Sequence, residues 1–346
     1  MIEDVKMLAE IREAPNVVHA QLNHNAETVQ RLAAAVAERQ PGFAMTVARG
    51  TSDQAAAFTK YAFENHLGLV TSSANPSTTT LYNSPLHLGD ALVVTISQSG
   101  RSPDIVQTVA KARQQGALTV AIVNVTDSPL AQAAEFVLPM HAGVEHAVAA
   151  TKTFIASLSA VLHWLEAMRP DAALKSALTN LPNHLETALH VEPQIADAVG
   201  RYQDAEQMIT LARGLHLPIA METALKLKET CVLHAESFST AEFAHGPIIL
   251  AEAGLPVIAF QARDATASSA ELYREVVKRG AELTLIGDSN IDVPAQTRLE
   301  TPDTGHIFTD PLCAALAAYL YAGHLSLARG LNPDAPRQLQ KVTMTL

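Results

Sequence analysis

Short apolar runs alternate with longer amphipathic stretches along the first half of the chain. Runs rich in β-branched and other apolar residues, bounded by Gly or Pro, lie at residues 43–48, 91–97, 118–124 and 136–140. The stretches between them space their apolar residues as helices do. Because strands that alternate with helices form parallel sheets through crossover connections, this half is predicted to be an α/β domain.

The same pattern begins again in the second half. Strand-like runs lie at residues 208–213, 256–260 and 282–287, and an Ala/Leu-rich helix is predicted over residues 310–329. Residues 48–50 and 212–214 both read Ala-Arg-Gly at the end of such a run, which indicates an internal repeat. We therefore predict two similar α/β domains, each with a parallel sheet flanked by helices.

A helical segment separates the two predicted domains. It is rich in Ala and Leu and contains Pro170 and Pro182, which are expected to interrupt its helices. A chain of 346 residues is long enough for two such domains. The predicted parts are a first domain over residues 1–170, a linker over 171–200, a second domain over 201–330 and a tail over 331–346.

The charge balance argues against nucleic acid as a partner. The chain has 24 Lys and Arg residues against 35 Asp and Glu residues, a formal net charge of −11, and it contains no basic run. The first residues lack the continuous apolar segment of a signal peptide or a membrane span. We therefore expect a cytoplasmic protein that binds neither nucleic acid nor membrane.

Cys231 and Cys313 are isolated, which favours reduced core thiols over a disulfide or a zinc site.

The second strand-like run leads directly into a hydroxyl-rich turn. Ser97-Gln98-Ser99-Gly100 is followed by Ser102 and the start of a helix. Hydroxyl and backbone N–H groups at a helix N-terminus can bind a phosphate group, and glycine lets the backbone approach it closely. The alternative is an ordinary serine N-cap without a ligand.

A second hydroxyl-rich turn, Gly50-Thr51-Ser52, follows the first strand-like run. Turns at the carboxyl ends of neighbouring parallel strands face one crevice, where open α/β sheets bind ligands. Neither turn matches GxGxxG or the phosphate loop of nucleoside triphosphatases, so a small phosphate ester is predicted. The segment containing Val148 and Ala150 could supply a third edge through backbone groups, or it could simply begin a helix.

Acid and base candidates lie in the second half of the chain. Glu222, Lys226 and Glu229 are spaced by four and three residues, which places them on one side of a helix. A solvated salt-bridge ladder is the alternative interpretation, although the helix is otherwise rich in Met, Ala and Leu. His245 precedes a Gly-Pro pair, so its imidazole is expected to be displayed by a turn rather than packed.

These segments together resemble the double-SIS sugar isomerases, in particular the isomerase half of glucosamine-6-phosphate synthases. The shared motifs are GTS at 50–52, SQSG at 97–100, VAATK at 148–152, ALKLKE at 224–229, HAE at 234–236, HGP at 245–247 and a tail motif containing Lys341. They occur in the same order and cover nearly the whole chain. The resemblance implies two SIS domains, each with a doubly wound, flavodoxin-like parallel sheet flanked by helices. The first domain would bind the sugar phosphate, the second would carry acid and base residues, and the tail would complete the active site.

The resemblance also implies a role for each matched residue. Glu229 would move a proton between carbons 1 and 2 of the sugar, supported by Glu222 and Lys226. His245 would open the sugar ring, and Lys341 would meet the open-chain carbonyl. No metal and no other cofactor is implied. The residues implied to bind the sugar and its phosphate are Gly50, Thr51, Ser52, Ser97, Gln98, Ser99, Gly100, Ser102, Val148 and Ala150.

Two departures from the synthases change the expected activity. Met1 is followed by Ile2 instead of the catalytic Cys that opens a glutamine-hydrolysing domain, so we expect no use of glutamine by this chain. The motif SQSGR, with Arg101 in place of an acid, and the ending KVTxTL resemble the stand-alone SIS-type glucosamine-6-phosphate deaminases. The expected reaction is therefore the conversion of glucosamine 6-phosphate to fructose 6-phosphate and ammonia.

Three alternatives stay open. The substrate could be galactosamine 6-phosphate or a fructosamine-type phosphate, the reaction could run towards ammonia-dependent synthesis, or the chain could be a sugar-phosphate sensor without activity.

The family resemblance further implies a homodimer with a shared active site, which His245 completes from the partner subunit. The Ala/Leu-rich helix predicted over residues 310–329 is apolar nearly all round, so either a partner subunit or the rest of the chain must cover it.

Overall fold

The structure of the chain, a computed structural model, describes residues 4–263, 266–288 and 290–341. Its strands are β1 (Phe43–Val47), β2 (Thr71–Ser73), β3 (Ala91–Ser97), β4 (Leu118–Val123), β5 (Phe136–Pro139), β6 (Gln207–Ala212), β7 (His234–Ser239), β8 (Pro256–Gln261), β9 (Glu282–Gly287) and β10 (Thr297–Glu300). Its α-helices are α1 (Lys6–Arg12), α2 (Ala14–His24), α3 (Ala26–Arg39), α4 (Thr51–Leu67), α5 (Pro76–Thr80), α6 (Pro103–Gln114), α7 (Pro129–Ala133), α8 (Lys152–Met168), α9 (Ala172–Ala188), α10 (Glu192–Ala198), α11 (Leu217–Cys231), α12 (Thr240–Ala244), α13 (Thr266–Lys278) and α14 (Asp310–Ala328). The part of the tail motif that follows Lys341 lies outside the described residues.

The first sheet contains β1 to β5, all parallel, in the order β2-β1-β3-β4-β5. Every residue of β3 and β4 is buried, which explains why these strands are continuous apolar runs in the sequence. The chain passes from β1 outward to β2 and then crosses to β3 on the other side of β1. The carboxyl ends of β1 and β3 therefore flank the point at which the strand order reverses, where such sheets bind ligands.

The second sheet has the same topology. Its strands β6 to β10 are all parallel, in the order β10-β9-β8-β6-β7, which is the order of the first sheet when the strands are counted from β6. Both sheets follow the flavodoxin-like order. The predicted α/β class with two parallel sheets flanked by helices is confirmed, and the shared topology supports an internal duplication.

The pattern of apolar residues does not predict strands β2, β7 and β10. All three lie at the edges of their sheets. Edge strands are less buried than central strands, and these three are short or polar, with the sequences TSS, HAESFS and TRLE. They therefore lack the continuous apolar run that identifies the central strands.

The expected interruption of the linker at Pro182 is wrong. Pro182 lies inside α9, which continues on both sides of it, whereas Pro170 lies between the end of α8 and the start of α9 as expected. A proline inside a helix removes one backbone hydrogen bond and strains the preceding turn. Leu181 and Leu185, both fully buried, flank Pro182, so tertiary packing offsets that cost.

The chain forms two compact units. The first-sheet unit consists of residues 16–145, 152–178 and 340–341, and it contains β1 to β5. The second-sheet unit consists of residues 4–15, 146–151 and 179–339, and it contains β6 to β10. The domain boundaries expected at residues 170, 200 and 330 stay predictions.

Helix α14 of the second-sheet unit is buried on all sides. Every residue from Asp310 to Ser326 is buried within the chain. By length and composition α14 could cross a membrane, but 89% of its apolar window is buried inside the protein, as in the core helix of a globular domain. The helix needs no partner subunit to cover it, so its composition gives no support to a dimer.

Both cysteines lie in the core of the second-sheet unit. Cys231 in α11 and Cys313 in α14 are free and buried. Burial raises the pKa of the Cys231 thiol to about 11, and it raises the pKa of the Cys313 thiol as well. Both thiols are therefore protonated near neutral pH, as expected of unreactive core residues.

Candidate active site

The turn after β3 is held in one conformation by its own residues. The Gly100 N–H donates a 3.0 Å hydrogen bond to Ser97 Oγ. Gly100 has a φ of +63°, and a Cβ placed there would lie 2.1 Å from Ser128 Oγ. Only glycine fits this position without displacing Ser128, so the close packing of the turn depends on it.

Helix α6 begins directly after this turn. Ser102 is the residue before its first turn, but the Ser102 side chain makes no capping hydrogen bond. A simple N-cap therefore does not account for the Ser102 hydroxyl. Gln98, Ser99 and Ser102 are only partly buried, which leaves polar atoms beside the helix N-terminus, where an anion would be favoured.

The second hydroxyl-rich turn follows the neighbouring strand β1. Gly50, with a φ of +58°, precedes α4, and Thr51 and Ser52 begin that helix. The Arg49 guanidinium donates hydrogen bonds of 3.1 and 2.9 Å to the buried carboxylate of Asp104 in α6, which links the two turns. Because β1 and β3 are directly paired, the structure brings both turns to the same edge of the sheet, as expected.

A cavity of about 720 Å³ opens at the carboxyl ends of β3, β4 and β5. A pocket of this size can enclose a small ligand such as a sugar phosphate. Three of the predicted site residues line it, namely Gln98, Ser99 and Lys341. The other lining residues are Arg101, Asn124, Val125, Thr126, Asp127, Pro139, His141, Gly143, Val144 and Glu145. The remaining predicted residues of this unit, which lie in the two turns and not in the lining, are Gly50, Thr51, Ser52, Ser97, Gly100 and Ser102.

Asn124 shapes the wall of this cavity. Its side-chain N–H donates a 2.7 Å hydrogen bond to the Gly143 carbonyl, and its side-chain oxygen accepts a 2.9 Å hydrogen bond from the Ala142 N–H. These two bonds fix the loop that follows β5. The sequence does not identify Asn124, because its partners lie 18 and 19 residues away.

Glu145 anchors the tail at the cavity. Its side chain is 0% exposed, and it accepts hydrogen bonds of 3.2 and 2.9 Å from the N–H and the hydroxyl of Thr153. Lys341 Nζ donates a 2.8 Å hydrogen bond to the same carboxylate. The structure therefore places the tail lysine at the edge of the cavity, in the same unit as the two hydroxyl-rich turns.

His141 is a polar group of the cavity that the sequence did not single out. It lies two residues after β5, with a φ of +53° and a partly exposed side chain, and its ring lies 5.0 Å from the ring of His24, centroid to centroid. Partial burial lowers the pKa of His141, and the charge of His24 lowers it further. The imidazole is therefore neutral near neutral pH, where it can donate or accept a hydrogen bond.

The acid and base candidates form a buried cluster in the second-sheet unit. Lys226 Nζ donates a hydrogen bond to the Glu229 carboxylate and lies 3.6 Å from Glu222 Oε1. The side chains of Lys226 and Glu222 are each 1% exposed, whereas that of Glu229 is 26% exposed. The solvated-ladder interpretation is therefore wrong. Charged groups are costly to bury, so a cluster of this kind with one accessible carboxylate is typical of an active site.

A tyrosine that no sequence motif indicates also contacts this cluster. Tyr319 in α14 donates a 3.0 Å hydrogen bond from its hydroxyl to Glu222 Oε1. The two residues are 97 positions apart in the chain, so no local spacing could reveal their contact. Tyr319 therefore belongs to the same buried cluster as Glu222, Lys226 and Glu229.

His245 ends the short helix α12 in the same unit. The helix is capped by Ser239, whose Oγ accepts a 3.1 Å hydrogen bond from the Glu242 N–H. His245 is exposed, as expected from the Gly-Pro pair that follows it. Ile249 and Leu250, in the next turn, are also exposed, at 79% and 46%. This short segment therefore exposes an imidazole and two apolar side chains.

Val148 and Ala150 lie in the second-sheet unit and are partly buried. The Val148 N–H donates a 2.9 Å hydrogen bond to the Asp334 carbonyl, so a backbone contact of Val148 with a ligand would have to use its carbonyl. The buried Glu10 carboxylate accepts hydrogen bonds from the N–H groups of His146 and Ala147 just before this segment. Helix α1 therefore fixes the backbone that carries Val148.

Comparison with known proteins identifies the fold family. The profile described as the SIS domain matches residues 40–167 and 201–326. The glutamine-fructose-6-phosphate aminotransferase (isomerizing) of Thermotoga maritima is 34% identical over 312 residues, which cover 85% of this chain and 50% of that protein. The chain therefore spans about half the length of this curated relative.

Two solved structures are similar over nearly the whole chain. A candidate phosphosugar isomerase from Silicibacter pomeroyi has a TM-score of 0.88 and 41% identity, covering 95% of this chain and 100% of that one. The C-terminal domain of glucosamine-fructose-6-phosphate aminotransferase from Francisella tularensis has a TM-score of 0.87 and 28% identity, covering 96% of this chain and 98% of that one. Since the two SIS matches contain the first and the second sheet respectively, the chain belongs to the SIS domain family and carries two copies of that domain.

Proposed function

We propose that this chain is an amino-sugar phosphate isomerase that converts glucosamine 6-phosphate and water to fructose 6-phosphate and ammonia. The observation that carries the proposal is the cluster of Glu222, Lys226 and Glu229. It holds one partly exposed carboxylate against a buried ammonium group. A carboxylate fixed in this way can remove a proton from one carbon and return it to the next.

The comparisons support the substrate class. The relative from Thermotoga maritima is named as an isomerizing fructose-6-phosphate aminotransferase, and this chain matches half of its length. The Francisella tularensis structure bears a similar name and matches almost completely. A sugar phosphate with an amino group at carbon 2 is therefore the first substrate to test.

The first-sheet unit supplies a site suited to the phosphate group. Ser99 and Gln98 line its cavity, and the N-terminus of α6 lies directly after them. Hydroxyls, backbone N–H groups and a helix N-terminus together favour a dianion without requiring a basic loop. In this proposal, Thr51, Ser99 and Ser102 bind the phosphate, and Lys341 at the cavity edge meets the sugar carbonyl.

The proposed reaction moves a proton between two carbons and then replaces nitrogen by oxygen. His245 assists opening of the ring, which leaves an aldehyde at carbon 1 and an amine at carbon 2. Glu229 removes the proton from carbon 2 to give an enolamine, while Lys341 stabilises the oxygen on carbon 1. Return of a proton to carbon 1 gives an imine at carbon 2. Water adds to that carbon and ammonia leaves, so that the ketose phosphate is the product.

Arg101 supports the deaminating direction. It replaces an acid of the synthases' motif, which makes the motif resemble that of the stand-alone deaminases. The structure places Arg101 in the lining of the cavity and exposes it to solvent. A guanidinium at this position adds positive charge beside the proposed phosphate site.

The experiment that tests the proposal is a substrate panel. Purified protein is incubated with glucosamine 6-phosphate, galactosamine 6-phosphate and a fructosamine phosphate, and ammonia and ketose phosphate are measured together by coupled assays. We expect steady and equimolar release of both products from glucosamine 6-phosphate, and none with the Glu229→Gln variant. Turnover of another member of the panel would change the substrate, and binding of all three without turnover would indicate a sensor.

We also propose that the protein acts in the cytoplasm as a homodimer, with His245 contributed from the partner subunit. His245 is exposed, and the exposed apolar residues Ile249 and Leu250 follow it four and five positions later, which favours burial of this segment by a second copy. A twofold axis would make the two contacts reciprocal and create two equivalent sites.

A further inference from the structure

The hydroxyl of Tyr319 makes a polar contact deep inside the second-sheet unit. Tyr319 is 2% exposed and Glu222 is 1% exposed, and the distance from the tyrosine hydroxyl to Glu222 Oε1 is 3.0 Å. A hydroxyl that donates to a carboxylate forms a charge-assisted hydrogen bond, which is stronger than a bond between neutral groups. Such a contact in the core constrains the position of the carboxylate.

Glu222 and Glu229 both form ion pairs with the ammonium group of Lys226. Lys226 Nζ is in hydrogen-bond contact with the Glu229 carboxylate, but it remains 3.6 Å from Glu222 Oε1. The oxygen at 3.6 Å is the one that accepts the hydrogen bond from Tyr319. Losing that hydrogen bond would leave the charge of the buried carboxylate less compensated, so the carboxylate would attract the ammonium group more strongly.

We propose that Tyr319 is a positioning residue for the proposed base, Glu229. By donating to Glu222, the tyrosine hydroxyl lets Lys226 stay with Glu229, and the lysine holds the Glu229 carboxylate in one orientation. The contacts run from Tyr319 in the core, through Glu222 and Lys226, to the partly exposed Glu229. This inference rests on the proposed function, because Glu229 is the base only if the reaction is the one proposed above.

Helix α14 provides a matched control for the test. Tyr321 lies two residues further along the helix, which turns its side chain by about 200° away from that of Tyr319. It is 0% exposed, and burial raises the pKa of its hydroxyl, whose polar neighbours include Tyr202 and Thr284 rather than Glu222. Replacing either tyrosine with phenylalanine removes one buried oxygen from the same helix, but only Tyr319→Phe changes the cluster.

The kinetic experiment compares Tyr319→Phe and Tyr321→Phe with the wild-type enzyme, using glucosamine 6-phosphate with hydrogen or deuterium at carbon 2. For Tyr319→Phe we expect kcat to fall about tenfold, a typical effect of losing a hydrogen bond to a charged group, with KM within about twofold. The deuterium isotope effect on kcat should rise, because proton transfer becomes slower than the other steps.

Tyr321→Phe should leave kcat, KM and the isotope effect unchanged. Equal effects of the two substitutions, or a Tyr319→Phe variant that changes only thermal stability, would overturn the proposal.

A second measurement needs no substrate and separates this inference from the proposed function. Protein labelled with ¹⁵N in lysine gives an NMR signal from a buried ammonium group, and the Lys226→Gln variant assigns it. We expect the Lys226 signal to shift in Tyr319→Phe and to stay in place in Tyr321→Phe. An unshifted signal in Tyr319→Phe would contradict the positioning role. If the signal shifts but the wild-type protein turns over no amino-sugar phosphate, the contact is right and the proposed function is wrong.

Discussion

Lys341 reaches the buried carboxylate of Glu145 with its ammonium group, at 2.8 Å. The two residues are 196 positions apart, and the pair holds the tail at the edge of the first-sheet cavity. Glu145 is itself fixed by Thr153, so the lysine is attached to a rigid part of the unit. If Lys341 meets the sugar carbonyl, its position depends on this ion pair.

Replacing Glu145 with Gln tests that dependence. The substitution keeps the shape of the side chain but removes its charge, so we expect kcat for glucosamine 6-phosphate to fall about tenfold through loss of alignment. Asp127→Asn is the control, because it removes one negative charge from an exposed residue of the same cavity lining. Equal rates for the two variants would show that the ion pair does not position Lys341.

The second prediction concerns the proposed base. Glu229→Gln preserves the size of the side chain and removes its ability to accept a proton, so turnover should fall at least about 100-fold. Binding of glucosamine 6-phosphate, measured by calorimetry, should persist because the phosphate site lies on other residues. Near wild-type turnover in this variant would move the proton transfer to another group.

The third prediction concerns the phosphate site. Ser99→Ala and Thr51→Ala each remove a hydroxyl, and we expect KM to rise about tenfold with a smaller change in kcat, since a hydrogen bond to an anion is lost. Thr51→Ser is the control that keeps the hydroxyl, and its KM should remain close to that of the wild type. If both alanine variants keep the wild-type KM, the phosphate does not bind at these turns.

The fourth prediction tests the shared active site. Glu229→Gln and His245→Ala subunits should each be inactive alone, but a mixed dimer would contain one site with both residues intact. We expect activity to return partly after subunit exchange, which native mass spectrometry can verify. A verified mixed dimer without activity would show that His245 acts within its own chain, and a monomer in sedimentation would rule out sharing altogether.

The fifth prediction concerns acid stability and Glu192. Partial burial alone would raise the pKa of this carboxyl, but hydrogen bonds and positive charge from His324 and Arg12 lower it from 4.5 to about 2. Below about pH 5 the Glu192 carboxyl takes up a proton in the unfolded chain, whereas in the folded chain it stays ionised until the pH approaches 2. The ionised Glu192 therefore stabilises the folded chain at higher pH, and this contribution is lost as the pH falls from about 5 towards 2. Between about pH 5 and pH 3, the Tm of the wild type should fall more steeply than that of Glu192→Gln. The exposed Glu186→Gln serves as control, and it should follow the wild type. Parallel curves for wild type and Glu192→Gln would contradict the assignment.

The sequence predicts the central strands and the turns that follow them, because burial on both faces requires continuous apolar runs. Strand β3 is predicted with the same ends as those observed, and the hydroxyl-rich turns fall at its end and at the end of β1. The edge strand β7 is missed because half-exposed strands carry polar residues. The local pattern of apolar residues therefore predicts a strand, and the turn after it, only where one face or both faces of that strand are uniformly buried.

The candidate site is less predictable because its contacts join distant parts of the chain. The spacing of Glu222, Lys226 and Glu229 places them on one helix face but says nothing of their burial. Whether such a face is solvated or covered depends on α14, which lies about 90 residues later and supplies Tyr319. The same holds for Glu145, whose role is visible only when the fold brings Lys341 to it.

Gly100 has a consequence for the thermodynamics of binding. Its N–H is held by Ser97 Oγ, and the space where a Cβ would lie is filled by Ser128. The conformational entropy of this turn is therefore lost when the chain folds, not when an anion arrives. Calorimetry of phosphate binding should show little entropic penalty from ordering of the protein, so the affinity of the turn reflects almost entirely the hydrogen bonds it makes and the water it releases.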